Sequence, residues 1–292
     1  MTDVGVSRSV TGARRPAPPP PGRYLPQGPS DYIRACAGWA YPSRAVSGRR
    51  KGRAHVGKSA TDYVWAGATG PFALRLDAGV FTPSHTTRVL GDTMQIRAGE
   101  TVLDVGCGSG VLSLVAARLG AGRVVGTDAF ASSARCARAN AETLGLGDVT
   151  DFRTGHLFES VRDVRADVIV ADVTGVPDAI AGVSGWFPAG HGGGPTGAEL
   201  PMEMLQEIGD RLAAGGRVYL PTGTIQDEDA VLAVARRVFT GGMTPVATRE
   251  FPLPEAVVST REVTALIASG ILKLGSRGSR RTWRLTVWRA ML

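Results

Sequence analysis

The stretch Thr101-Val102-Leu103-Asp104-Val105-Gly106-Cys107-Gly108-Ser109-Gly110-Val111-Leu112 decides how this chain is read. An apolar run ends in an acid, passes into a loop of alternating glycines and leaves into an apolar helical pattern. Glycine permits a tight turn, and its missing side chain lets a ligand approach the backbone at the carboxyl end of the strand. A dinucleotide site uses similar geometry, but with the spacing G-x-G-x-x-G and a pyrophosphate on the helix N-terminus. Here Gly106, Gly108 and Gly110 are spaced G-x-G-x-G, and Asp104 stands just before them. A carboxylate there would repel a pyrophosphate and suits a ligand that carries an ammonium group. A second acid, Asp128, closes the next apolar run, where a carboxylate can accept two hydrogen bonds from a ribose diol.

Working outward, the pattern alternates regularly. Strands are predicted at residues 73–80, 101–105, 123–127, 149–153, 166–171 and 216–220, with helices at 86–94, 111–119, 132–144, 201–213 and 228–239. Residues 166–171 (ADVIVA) are apolar enough for a strand buried on both faces. Strands separated by helices of this length predict a parallel sheet covered on both sides, and right-handed crossovers make it doubly wound. Residues 282–290 (TWRLTVWRA) alternate with period two and predict a further strand, paired antiparallel with residues 245–251 at the sheet edge. The expected fold is a Rossmann-like doubly wound α/β sheet of seven strands, mostly parallel with an antiparallel C-terminal edge strand, plus a small N-terminal extension.

The chain has 292 residues and is 43% hydrophobic, which suits a soluble globular protein. No apolar run approaches the roughly 20 residues that span a bilayer, so no membrane partner is expected and a cytoplasmic location is the default. Cys36, Cys107 and Cys136 form neither a disulfide framework nor a zinc site, and His55, His85, His156 and His191 lack metal-ligand spacing, so no metal is expected. The net charge of +7 is unevenly placed. Residues 1–58 hold eleven Lys or Arg against two acids, which leaves the other 234 residues at −2. Residues 1–30, with Pro18 to Pro21 in succession, are read as a disordered Pro/Arg-rich tail. Residues 31–78 are read as a small helical or irregular cap or substrate-binding segment, and 79–292 as the main domain.

The set of strand, Asp104, three glycines, helix, strand and Asp128 resembles the cofactor motif of class I S-adenosylmethionine-dependent methyltransferases, over roughly residues 80–238. The resemblance implies S-adenosyl-L-methionine as cofactor. It implies a site lined by Asp104, Gly106, Cys107, Gly108, Gly110, Asp128, Ala129, His156, Leu157, Thr86 and Asp172, with Gly106 and Gly108 near the methionine part and Asp128 on the ribose. Three segments are similar to the HemK-type glutamine methyltransferases: Val80-Phe81-Thr82-Pro83-Ser84, Gly155-His156-Leu157-Phe158-Glu159 and Gly192-Gly193-Gly194-Pro195-Thr196-Gly197. Two features depart from that branch. His156 replaces its adenine-facing acid, and Ala171-Asp172-Val173-Thr174-Gly175-Val176-Pro177-Asp178 replaces its N-P-P-Y loop.

An ionised Asp172 cannot donate hydrogen bonds. It can hold or deprotonate an amine, amidine or hydroxyl, which makes it the candidate catalytic residue; the bland alternative is a turn or helix-cap Asp. Val173, Thr174, Trp186, Phe187 and His191 are the candidate substrate-binding residues, with core packing as the alternative for Trp186 and Phe187. The remodelled loop points to a small-molecule acceptor, amino-acid-like or a natural-product intermediate. Two alternatives stay open. One is a protein or RNA methyltransferase that uses the basic N-terminus to reach nucleic acid or a ribosomal protein. The other is a non-catalytic S-adenosylmethionine-binding subunit.

Overall fold

The computed structural model describes residues 60–187 and 192–292. The described chain opens with an antiparallel hairpin, β1 (Thr61–Trp65) and β2 (Phe72–Leu76), followed by α1 (His85–Thr93). β3 (Thr101–Val105), α2 (Val111–Arg118), β4 (Arg123–Asp128), α3 (Ala131–Thr143) and β5 (Thr150–Thr154) come next. β6 (Ala166–Ala171), α4 (Asp178–Ser184), α5 (Glu199–Ile208), β7 (Leu212–Gly223) and α6 (Glu228–Val238) continue the alternation. The chain closes with β8 (Met243–Pro252), α7 (Glu255–Val258), α8 (Arg261–Ala268), β9 (Gly275–Arg277) and β10 (Arg280–Met291).

The central sheet has the order β5-β4-β3-β6-β7-β10-β8, with β9 paired to β10. β3 to β7 are parallel, and β10 is antiparallel to both β7 and β8. The antiparallel C-terminal strand is therefore present, inserted between β7 and β8, so that β8 takes the outermost position. Strand order reverses between β3 and β6, and ligands bind at the carboxyl ends of the strands at such a switch point.

Residues 61–65 form a strand where helical or irregular structure was expected. The β-branched and aromatic run TDYVW becomes a strand because FALRL pairs with it and completes a buried face. Trp65, Phe72 and Leu74 are buried in one core with Leu90 of α1, Leu114 of α2 and Val102 of β3. A Cβ at Gly91 would lie 2.8 Å from the Trp65 ring, so the indole needs glycine there. A second apolar cluster, including Ile180, Val257, Val263 and Leu272, joins α4 to α7 and α8; the sequence reading did not foresee those three helices.

Candidate functional site

The glycine loop leaves β3 as expected. Gly106, Gly108 and Gly110 have φ of 83°, 53° and 84°, in the left-handed region where a side chain is strained. Two of the three are also sterically required. A Cβ at Gly110 would lie 2.8 Å from the Cβ of Ala137, and one at Gly106 would lie 2.9 Å from the Asp172 carbonyl oxygen. Gly108 instead faces open space, with no atom within 4 Å of a Cβ built there. The loop therefore presses its first glycine on the loop after β6, its third on α3, and leaves its middle free for a ligand. Gly106 and Cys107 donate their backbone N–H groups to the Thr127 carbonyl at 2.9 and 3.0 Å, which ties the loop to β4.

Three carboxyl groups converge there. Asp104 is buried, and its Oδ2 accepts hydrogen bonds from the Ser113 N–H at 3.0 Å and hydroxyl at 2.6 Å. Ser113 lies in the first turn of α2, whose N-cap Gly110 offers no side chain, so Asp104 caps the helix from the strand. Its Oδ1 has no partner. Burial, with Asp172 and Asp128 nearby, pushes its pKa up to about 7, although Ser113 opposes the shift. Asp128 ends β4; its Oδ2 accepts the Gly108 N–H at 3.0 Å and its Oδ1 the Phe130 N–H at 2.9 Å. Desolvation raises its pKa. Ala129, beside it, is exposed.

Asp172 stands just past β6, and its Oδ2 accepts the Thr87 hydroxyl at 3.1 Å. Desolvation pushes its carboxyl up to about 6, against the Thr87 bond. Sequence reading named Thr86 among the cofactor-binding candidates and did not name Thr87. The signal was the capping box of α1. Ser84 Oγ accepts the Thr86 and Thr87 N–H groups at 3.1 and 3.3 Å, and Thr87 Oγ1 accepts the Ser84 N–H at 3.2 Å. That box puts Thr87, not Thr86, where its hydroxyl reaches Asp172.

Val173 and Thr174 continue from Asp172, half-buried, and Gly193 packs on Thr174. Gly193 donates its N–H to Val176 O at 2.7 Å and Asp178 donates to Gly194 O at 2.9 Å, while Asp178 Oδ1 accepts the Gly192 N–H at 3.0 Å. A Cβ at Gly193 would overlap the Thr174 carbonyl oxygen. Gln226, in the loop after β7, was also missed. It is buried, its Nε2 lacks a partner, and its Oε1 fills the space where a Cβ on Gly175 would be. No sequence pattern marks it, since its placement comes from two loops distant in the chain.

Other candidates take different places. The His156 ring pairs with Glu203 at 2.8 Å, and that bond raises its pKa. Leu157 adopts a φ of 45°, uncommon for a residue with a side chain. Cys107 is buried, and burial raises its thiol pKa. Trp186 packs against the second apolar cluster, which favours its core alternative, and Phe187 stacks on Phe81 with centroids 5.2 Å apart. His191 lies outside the described residues.

The strand order, the switch-point glycine loop and the carboxyl-terminal acids define the class: this is the Rossmann-like fold of class I S-adenosylmethionine-dependent methyltransferases. More narrowly, the family model for ribosomal protein L11 methyltransferase (PrmA) matches residues 60–177. The chain is 41% identical over 117 residues to the ribosomal protein L11 methyltransferase of Pelotomaculum thermopropionicum, covering 38% of this chain and 37% of that protein. It is 34% identical over 174 residues to that of Cupriavidus necator, covering 56% and 54%. The matched stretches thus span between 26% and 54% of such relatives' own length. A solved methyltransferase structure, complexed with SAH, superposes with a TM-score of 0.51 at 13% identity, covering 78% of this chain and 56% of that one.

These relatives correct two expectations. They are named for a ribosomal protein as acceptor, which overturns the small-molecule acceptor and, with it, the natural-product context. They also bear a different family name from the HemK-type branch.

Proposed function

We propose that this chain transfers a methyl group from S-adenosylmethionine to a nucleophile on a protein. The observation that carries the reading is the contact of Gly106 with the Asp172 backbone: the cofactor loop and the acceptor loop meet at the sheet's switch point. The residues present fit the cofactor. Gly108 borders open space, Asp104 Oδ1 is an unpaired buried acceptor suited to an ammonium group, and the Asp128 carboxylate keeps acceptor capacity for a ribose hydroxyl beyond its bonds to Gly108, Phe130 and Ser133. When bound, the cofactor supplies a sulfonium methyl that is already activated for displacement.

The protein then has to align the nucleophile, exclude water and accept its proton. Asp172 takes the last task in this reading. Its carboxyl, pushed up to about 6, is a base near neutral pH and an acceptor for the N–H bonds of a protein amine. The Thr87 hydroxyl fixes one oxygen and leaves the other for the nucleophile. Deprotonation of the attacking ammonium by Asp172 frees the lone pair that takes the methyl group.

The test is transfer of labelled methyl from S-adenosylmethionine to purified ribosomal protein L11, an RNA fraction and a metabolite fraction. Label on the protein is expected. Label confined to RNA or to metabolites would reject the protein acceptor, and binding of NAD in place of adenosylhomocysteine would reject the cofactor.

A further inference from the structure

The proposed reaction uses the centre of the sheet and leaves one charged feature unexplained. Residues 263–292 carry six Lys or Arg and no acid. Three of the six, Arg277, Arg280 and Arg281, sit on the β9–β10 hairpin, where every residue from 275 to 281 is exposed. Arg277 and Arg280 are directly opposite each other across the ladder. Like charges in that position repel and destabilise a two-stranded ribbon. Among the described residues, no ion pair engages any of the three, whereas Lys273 pairs with Asp229 and Arg284 with Glu228.

The hairpin's position is specific. β10 is antiparallel to β7, and their pairing ends where Leu285 meets Gly223, the last residue of β7. Residues 280–284 therefore run on past the carboxyl end of β7, the same sheet end at which Asp104, Asp128 and Asp172 lie. The hairpin's base is bonded to the loop after β7: the Lys273 N–H donates to Thr224 O at 3.0 Å, and the Arg284 N–H to Thr224 Oγ1 at 2.9 Å. That loop also carries Gln226, which packs on Gly175 of the acceptor loop. A polyanion held on the hairpin would lie at the same end of the sheet as the proposed methyl-transfer site.

We propose that the β9–β10 hairpin is an RNA-docking element that grips the phosphate backbone. Its groups are donors of the kinds that hold phosphates: three guanidinium forks, with the Ser279 hydroxyl in the turn between Arg277 and Arg280 and the Ser276 hydroxyl across the ladder from Arg281. A phosphodiester strand supplies a regular line of charge with acceptor oxygens at every step, so it can neutralise the opposed Arg277 and Arg280 together. An acidic peptide would match the charge but would leave the hydroxyl donors without a comparable row of acceptors. This inference goes beyond the proposed protein acceptor and is tested by binding alone.

The experiment titrates a labelled single-stranded RNA oligonucleotide with the full chain over a range of salt, by fluorescence anisotropy. The triple variant R277Q/R280Q/R281Q is compared with R236Q/R237Q, which removes exposed charge from the end of α6; the basic N-terminal segment is present throughout. The hairpin variant should lose about tenfold or more in affinity at moderate salt. Its slope of log K against log salt should fall by about two, at roughly 0.7 per phosphate contact. The α6 variant should match the wild type, and both should keep adenosylhomocysteine affinity, which shows that they are folded. An unchanged slope in the hairpin variant, no RNA binding by the wild type, or displacement of RNA by poly-glutamate at equal charge would each overturn the proposal.

Discussion

The two halves of the sheet solve different problems. From β3 to β5 the proposed cofactor pocket draws on neighbours in sequence: three glycines, Asp104 just before them, and Asp128 at the next strand's end. Hydrogen bonds there are local and satisfied, apart from the buried Asp104 Oδ1, which has no partner. From β6 onward the acceptor side is assembled from distant pieces. Asp172 takes its hydroxyl partner from α1, 85 residues earlier, and Gly175 meets Gln226 from beyond β7. A shared cofactor needs one fixed pocket, whereas an acceptor site is set by loops that can be exchanged while the sheet stays the same.

That contrast can be broken at several points. The largest effect is expected at Asp172. D172N should leave adenosylhomocysteine affinity nearly unchanged and lower the methyl-transfer rate about 100-fold or more, as for a lost general base; single-turnover rates near wild type would place the base elsewhere. D128A should act on the other half, weakening cofactor binding by about 1–3 kcal/mol, read by calorimetry. If D128A slowed chemistry while sparing affinity, the two halves would not divide the work in this way.

Acidity separates the halves next. Burial holds Asp104 at about 7 and Asp172 at about 6, both above the ordinary carboxylate value. The folded state therefore binds these protons more tightly than the unfolded chain does. The stability this contributes is present below the unfolded pKa values and is lost as pH rises through 6 to 7. A bound ammonium favours the ionised form of Asp104, so cofactor affinity should rise over the same window as the ligand-free protein loses melting temperature. Calorimetry and melting curves at about pH 5 and about pH 8 check both directions. If affinity stayed flat across that window, Asp104 would not touch the cofactor's ammonium.

The smallest effect is expected at His156. Its ring pairs with Glu203, which is 49% exposed, so H156Q should change stability by about 1 kcal/mol or less and cofactor affinity less than twofold. A tenfold loss of cofactor affinity would return the imidazole to the adenine and extend the pocket past Asp128.

Much of the first half was legible because its signals are short-range. Gly106, Gly108 and Gly110 stand where the backbone turns to positive φ, and an acid at a strand end is placed by the strand alone. Thr87 was not named, because helical periodicity does not say which hydroxyl a capping box aims inward. Trp186 was left between pocket and core, and the α4, α7 and α8 cluster that packs it draws on residues some 80 positions apart in the chain. The small-molecule acceptor was inferred from a missing loop motif, and an absent pattern describes no partner.

The sequence by itself determined the alternation of strands and helices, the glycine loop and the two strand-end acids, because each follows from local backbone geometry and period. Only the tertiary structure decided that β10 lies inside the sheet, that Thr87 reaches Asp172, that Gln226 packs beneath the acceptor loop, and that three arginines project at the reactive end of the strands. Those arrangements depend on which distant segments bury each other's surface, and that is settled by packing, whose partners no local pattern names.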